Sequence, residues 1–232
     1  MVSYNRVSLA RKKELEQQDS VSVILGKVFE FTMRQKAKLL TGLAVVFLAI
    51  TIATGVFYFR NRSETTAFNE LNKCETKYNE QVKINSPKEV YEAVHVDYRR
   101  ILEDHTGTVA AKMSKIRLAG LCYDAGRFDD AVSLYQSALP DFTDDSFLKS
   151  MILNGLAYSY EAVNNKAEAI KYFEMVASDN ASAMKDGALY NLGRIYNENG
   201  DTEKSMEFCK RLFEEYPDSM YNKFAEEKLA SG

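Results

Sequence analysis

Tryptophan is absent from the 232 residues, and there are only three prolines, two histidines and three cysteines. So little proline leaves long stretches free to be helical. The histidines, His95 and His105, stand ten apart. On a helix that spacing does not share one face, and no cysteine or acidic partner completes a tetrahedral metal set. Neither histidine can be placed beside a serine or cysteine nucleophile, and there is no glycine-rich phosphate loop. No catalytic, cofactor-binding or metal-binding residue is therefore assigned, and the chain is expected not to be an enzyme. Cys74, Cys122 and Cys209 are odd in number and widely spaced, forming neither a CxxC pair nor a disulfide ladder. Positive charge is also lacking where a nucleic-acid partner would need it. The formal net charge is −3, and the basic excess sits at one end. Residues 1–38 hold eight Lys/Arg against four acids, which leaves 22 basic and 29 acidic residues in 60–232. An acidic globular part does not attract phosphates.

What is present begins with an uncharged run, Leu39–Phe59, LLTGLAVVFLAITIATGVFYF. At ~1.5 Å per residue its 21 residues span roughly 31 Å as a helix, the thickness of a bilayer core of about 30 Å. A core helix rarely runs so long without a polar face. A cleaved signal peptide normally has a short charged leader, and here 38 residues precede the run. The expectation is one uncleaved transmembrane helix. Tyr58, Arg60 and Arg62 suit an interface at its end. Lys27, Arg34, Lys36 and Lys38 precede it, against Arg60, Arg62 and Lys73 after it. That bias places the N-terminus in the cytoplasm and the large domain across the membrane. Within the leader, Val21, Ile24, Leu25, Val28, Phe29 and Met33 recur at helical spacing opposite Lys27, Glu30 and Arg34, with Asp19 or Ser20 as cap. That helix either rests on the membrane surface or docks on another membrane protein.

Beyond the run, three windows align: 115–139, 153–177 and 189–213. Their columns are Leu118, Leu156 and Leu192; Ala119, Ala157 and Gly193; Cys122, Tyr160 and Tyr196; Gly126, Asn164 and Gly200. The second halves add Ala131, Ala169 and Ser205; Tyr135, Phe173 and Cys209; then Ala138, Val176 and Leu212. Small residues let paired helices approach, rings fill the gap behind them, and Gly or Asn takes the positive φ of a turn. Repetition at this period is the mark of stacked helical hairpins. With Pro217 closing the last unit, these columns resemble the tetratricopeptide (TPR) family. Lys115, Leu153 and Leu189 stand where that family favours tryptophan, and Ser205 and Cys209 replace its usual alanine and ring.

The expected fold is all-α: one N-terminal transmembrane helix, then a short TPR-like α-solenoid. Residues 1–38 form the leader, 39–59 the span, 60–110 a degenerate first hairpin, 111–218 three repeats and 219–232 a capping helix. In the first hairpin, Ser86 and Pro87 divide 64–84 from 88–104, and Val94, Tyr98, Ile101 and Leu102 give an apolar face. In the cap, Glu226, Glu227 and Lys228 should face water. Cys122 and Cys209 should be buried thiols; Cys74 is either exposed and reactive or inert.

The layout of basic leader, single span and short TPR domain resembles the bacterial family that includes the ancillary subunit of the SecYEG translocon. The resemblance implies a single-pass protein of the bacterial inner membrane with a periplasmic C-terminal domain, working beside the Sec translocon or periplasmic chaperones. First helices of such repeats line a concave face. Here that face is expected to carry Met113, Ile116, Tyr123, Met151, Asn154, Tyr158, Glu161, Tyr190, Arg194 and Asn197, a Met/Tyr surface suited to peptides of several partners. The function expected is a membrane-anchored adaptor binding other proteins, with no cofactor. The alternative is a structural scaffold of the envelope that associates with itself.

Overall fold

Helix starts and stops follow local chemistry. In the computed structural model, which describes residues 22–31, 33–179 and 182–231, Ser86 caps a helix reciprocally with Glu89, and Pro87 takes its first position. There the missing N–H costs nothing. Side-chain oxygens of Thr108, Asp145, Asn165 and Asp201 cap four more helices. The resulting order is α1 (Lys36–Gln81), α2 (Pro87–Asp104), α3 (Val109–Asp124), α4 (Phe128–Ala138), α5 (Ser146–Ala162), α6 (Lys166–Ser178), α7 (Lys185–Glu198), α8 (Thr202–Glu215) and α9 (Asn222–Ser231). Leu139–Phe142 adds one 3-10 turn where the first repeat has its insertion. No strand occurs among the described residues.

The chain divides into two units at Phe59 and Arg60. In the first, residues 22–31 are helical, and Val23, Ile24, Leu25, Val28, Phe29 and Phe31 are all exposed. The caps expected at Asp19 and Ser20, and Val21, lie outside the described residues. From Lys36 the helix is long and apolar enough to cross a membrane. Its side chains over 39–54 and 56–59 are exposed; Phe47 reaches 72% and Leu43 68%.

In the second unit the remainder of α1 and α2–α9 build consecutive antiparallel hairpins with one continuous core. The three aligned turns have the same geometry. Gly126, Asn164 and Gly200 take φ of 78°, 61° and 80°. The following N–H returns to the carbonyl five residues back, Arg127 to Cys122 at 2.7 Å, Asn165 to Tyr160 at 2.8 Å and Asp201 to Tyr196 at 2.9 Å. These are Schellman closures, and the next helix starts at once. The leucine and alanine columns are buried: Leu118, Leu156 and Leu192 are at most 1% exposed, and Ala131, Ala169 and Ser205 are 0%. Ser205 is tolerated at its crossing because its hydroxyl donates to the Gly193 carbonyl at 2.7 Å. Cys209 fits in place of a ring because Gly193 has no side chain; a Cβ there would stand 3.0 Å from the sulfur. Glu226 and Glu227 are exposed, whereas Lys228 is partly covered and donates to Asn197.

All three cysteines are buried, which settles the alternatives for Cys74. Burial pushes the Cys74 and Cys122 thiols up to about 11 and raises Cys209 as well. The thiolate is the nucleophile, so folded protein at pH 7 should resist iodoacetamide at all three positions. Mass spectrometry before and after denaturation checks this. Rapid native labelling of Cys74 would place it outside the core.

Candidate protein-binding site

The first helix of each hairpin repeats its concave positions every 38 and then 36 residues. One column is Met113, Met151 and Gly187; another is Ile116, Asn154 and Tyr190; a third is Gly120, Tyr158 and Arg194. The sequence-derived surface left out its two glycines, which provide space and no side chain. The structure divides the ten expected residues into three settings.

At the α1 end lies an open cleft of about 520 Å³. Met113, Ile116 and Met151 line it, joined by Phe68, Leu71, Asn72, Glu75 and Tyr78 of α1 and by Arg117, Gly120 and Asp124 of α3. Arg117 grips Glu75 through two 2.8 Å bonds, from Nε to Oε1 and from Nη2 to Oε2. Tyr98 of α2 donates to the same Glu75 oxygen at 3.0 Å, so one carboxylate holds three helices. The Arg117 guanidinium also lies 5.1 Å from the Tyr78 ring centroid. Tyr135 reaches the cleft from the second helix of its hairpin, passing over Gly155 and towards Gly120. Its burial pushes the phenol up to about 12. Crowding at the wall raises the Asp124 carboxyl above its ordinary value, against the pull of Arg117.

The middle setting joins α5 and α7. Tyr158 accepts a 2.8 Å bond from the Asn191 amide and packs edge-on against Phe173 at 5.1 Å. Tyr123 lies 6.5 Å from Tyr158. Arg194 bonds Glu161 at 2.6 Å and Glu198 at 2.8 Å, while Lys166 bonds Glu198 at 3.0 Å. Lys166 and then Arg194 hold the Glu198 carboxyl below its usual range. Glu161 and Arg194, expected as separate contacts, are thus one ion pair tying neighbouring hairpins. Asn154, in α5, is half-buried.

The third setting borders α9 and the residue before it. Tyr190 stacks on Tyr221 at 4.6 Å and meets Phe224 edge-on at 4.9 Å. Gly187 admits Tyr221, whose ring would lie 3.6 Å from a Cβ there. Asn197 accepts from Lys228 at 2.6 Å. The Tyr190 ring is therefore packed under the cap, Asn197 stays exposed at its edge, and the cleft of the face lies at the α1 end. Glu75, Arg117 and Asp124 escaped the sequence reading. The column 117, 155, 191 holds Arg, Gly and Asn, so only the unmatched charge of Arg117 marked it.

Among the described residues, no group of histidine, cysteine or carboxylate side chains is arranged to hold a metal. Residues 66–216 match the family described as the SusR N-terminal TPR domain. The chain belongs to that family. SusR-type TPR domains share the TPR architecture, which generally serves as a non-catalytic protein–protein interaction module. Solved structures share the fold with this SusR-type domain at low identity. One is a tetratricopeptide repeat protein from Parabacteroides merdae, 16% identical with a TM-score of 0.57 over 69% of this chain. The match covers 59% of the Parabacteroides chain. Another is a putative kinesin light chain from Podosopora anserina with nearly identical TPR-like repeats, 16% identical, with a TM-score of 0.54 over 72% of this chain and 85% of that one. No curated protein matches in sequence.

Proposed function

We propose that the chain is a membrane-anchored adaptor of the bacterial envelope, whose TPR array binds periplasmic or translocating polypeptides at the open end of its concave face. The observation that carries this reading is α1 itself. Its first part presents an unbroken exposed apolar surface, and its second part lines the cleft. An exposed patch of that length is costly in water and favourable in lipid. The excess of Lys/Arg just before it over that just after it supports a cytoplasmic N-terminus and a periplasmic TPR domain. The resemblance in layout to ancillary translocon subunits supports the Sec machinery or periplasmic chaperones as partners.

The test uses full chain in bacterial membranes. The chain should remain in the pellet after an alkaline wash, and alkaline phosphatase fused after the last residue should be active. Extraction of the chain by alkali would remove the anchor, and an inactive fusion at normal expression would reverse the orientation. Detergent extracts should yield foreign partners by affinity capture. Met113→Ala with Met151→Ala should reduce that recovery. Buried anchors often cost about 2 kcal/mol on truncation, roughly thirtyfold in affinity. Lys171, exposed on α6 and paired with Glu168, is the control, and Lys171→Ala should change nothing. Capture of this chain alone would favour a self-associating scaffold.

A further inference from the structure

The cleft beside α1 joins an apolar lining to polar groups that have no partner among the described residues. Its apolar lining comes from three first helices: Phe68 and Leu71, Met113 and Ile116, and Met151. A volume of about 520 Å³ is several times the roughly 150 Å³ that accommodates benzene, so more than one apolar side chain enters. Its charged groups are not equivalent. Arg117 and Glu75 neutralise each other through two hydrogen bonds. Asp124 has no hydrogen bond or ion pair among the described residues, only the more distant attraction of Arg117. A cation arriving there meets a carboxylate with no competing partner, while its aliphatic stem lies along the apolar wall.

Three polar side chains in the lining are also uncommitted. The Asn72 amide and the Tyr78 and Tyr135 hydroxyls make no hydrogen bond among the described residues. An extended segment offers free backbone N–H and C=O groups to such side chains, whereas a helix has used its own. In an extended chain, residues two apart face the same way.

We propose that this cleft binds an extended peptide segment with two apolar side chains and a lysine or arginine on one side, the apolar pair entering beside Met113 and Met151 and the cation resting on Asp124. This rests on the reading of the concave face as the interaction surface, and it names the chemistry selected there.

The test measures fluorescence anisotropy of labelled ten-residue peptides with full chain in detergent. One peptide has a Leu-Ser-Leu-Ser-Lys core, the second ends that core in Glu, and the third replaces both leucines by serine. The lysine peptide should bind about fivefold more tightly than the glutamate peptide, as expected for a partly exposed ion pair. The serine peptide should lose at least thirtyfold. Asp124→Lys should reverse the preference between lysine and glutamate. Gly120→Met should fill the cleft and abolish binding; the first atom it adds stands 3.5 Å from the Tyr135 hydroxyl, an ordinary contact. Should that variant fail to fold, the charge reversal decides alone, because a collapsed cleft cannot invert a preference. Equal binding of the lysine and glutamate peptides, or an unchanged preference in Asp124→Lys, overturns the proposal. So does a dimer in sedimentation that Gly120→Met dissociates while no peptide binds, which would assign the cleft to a second copy. If charge preference is absent but partner recovery still depends on Met113 and Met151, the adaptor reading stands and this occupant alone is wrong.

Discussion

Leu192→Asp should unfold the last hairpin and its cap while leaving the preceding hairpins folded. Leu192 is 0% exposed in the third repeat. A carboxylate there has no designed partner, and burying one costs several kcal/mol even after its pKa rises. That is comparable with the whole stability of a typical domain, about 5–15 kcal/mol. In a solenoid each hairpin contacts mainly its neighbours, so the loss should stay local. Hydrogen exchange of the full chain should show lost protection over α7, α8 and α9 and retained protection in α2 and α3. Uniform native protection with unchanged melting would mean that this leucine column does not face the core.

The second large effect concerns Gly155. A Cβ at this position would stand 2.4, 2.6 and 2.8 Å from three atoms of the Tyr135 ring. Replacing a helical glycine by alanine ordinarily stabilises by about 1 kcal/mol. Here the ring is held in the core, and overpacking of this kind costs about 1–3 kcal/mol. Gly155→Ala should therefore lower the melting temperature by several degrees, at about 2–4 °C per kcal/mol for a unit of this size. Gly120→Ala, where the new atom makes only an ordinary contact with the same side chain, should be neutral or raise it. Tyr135→Leu should rescue Gly155→Ala in a double-mutant cycle, because it removes the clashing atoms. A Gly155→Ala variant as stable as Gly120→Ala would show that the ring does not occupy this gap.

These two glycines illustrate where reading by periodicity ends. Columns report what each hairpin does to itself, and they placed the turns at Gly126, Asn164 and Gly200 and the leucines inside. They treat glycine as an empty position. The emptiness at 155 admits a ring from α4, and the emptiness at 120 leaves the cleft open. The same limit applies to Glu75 and Arg117, which lie in different hairpins and outside any shared column. Tyr190 and Asn197 fell in the right columns, yet the C-terminal segment engages both: Tyr221 and Phe224 pack on the Tyr190 ring, and Lys228 bonds Asn197, which stays exposed. A terminal helix has no repeat equivalent, so its contacts could not be transferred from the other units.

The sequence by itself determined the helical hairpins, their turns and their buried faces. Those features depend on groups a few residues apart: a cap and the N–H it accepts, a positive φ, an apolar residue each turn of helix. It also determined the long apolar run, which needs only composition and length. Tertiary structure alone decided which part of the concave face stays open, which charges neutralise each other, and that Asp124 is left with a carboxylate to offer. Those outcomes depend on side chains some 30–45 residues apart, brought together by the angle between neighbouring hairpins, and no local rule along the chain encodes that angle.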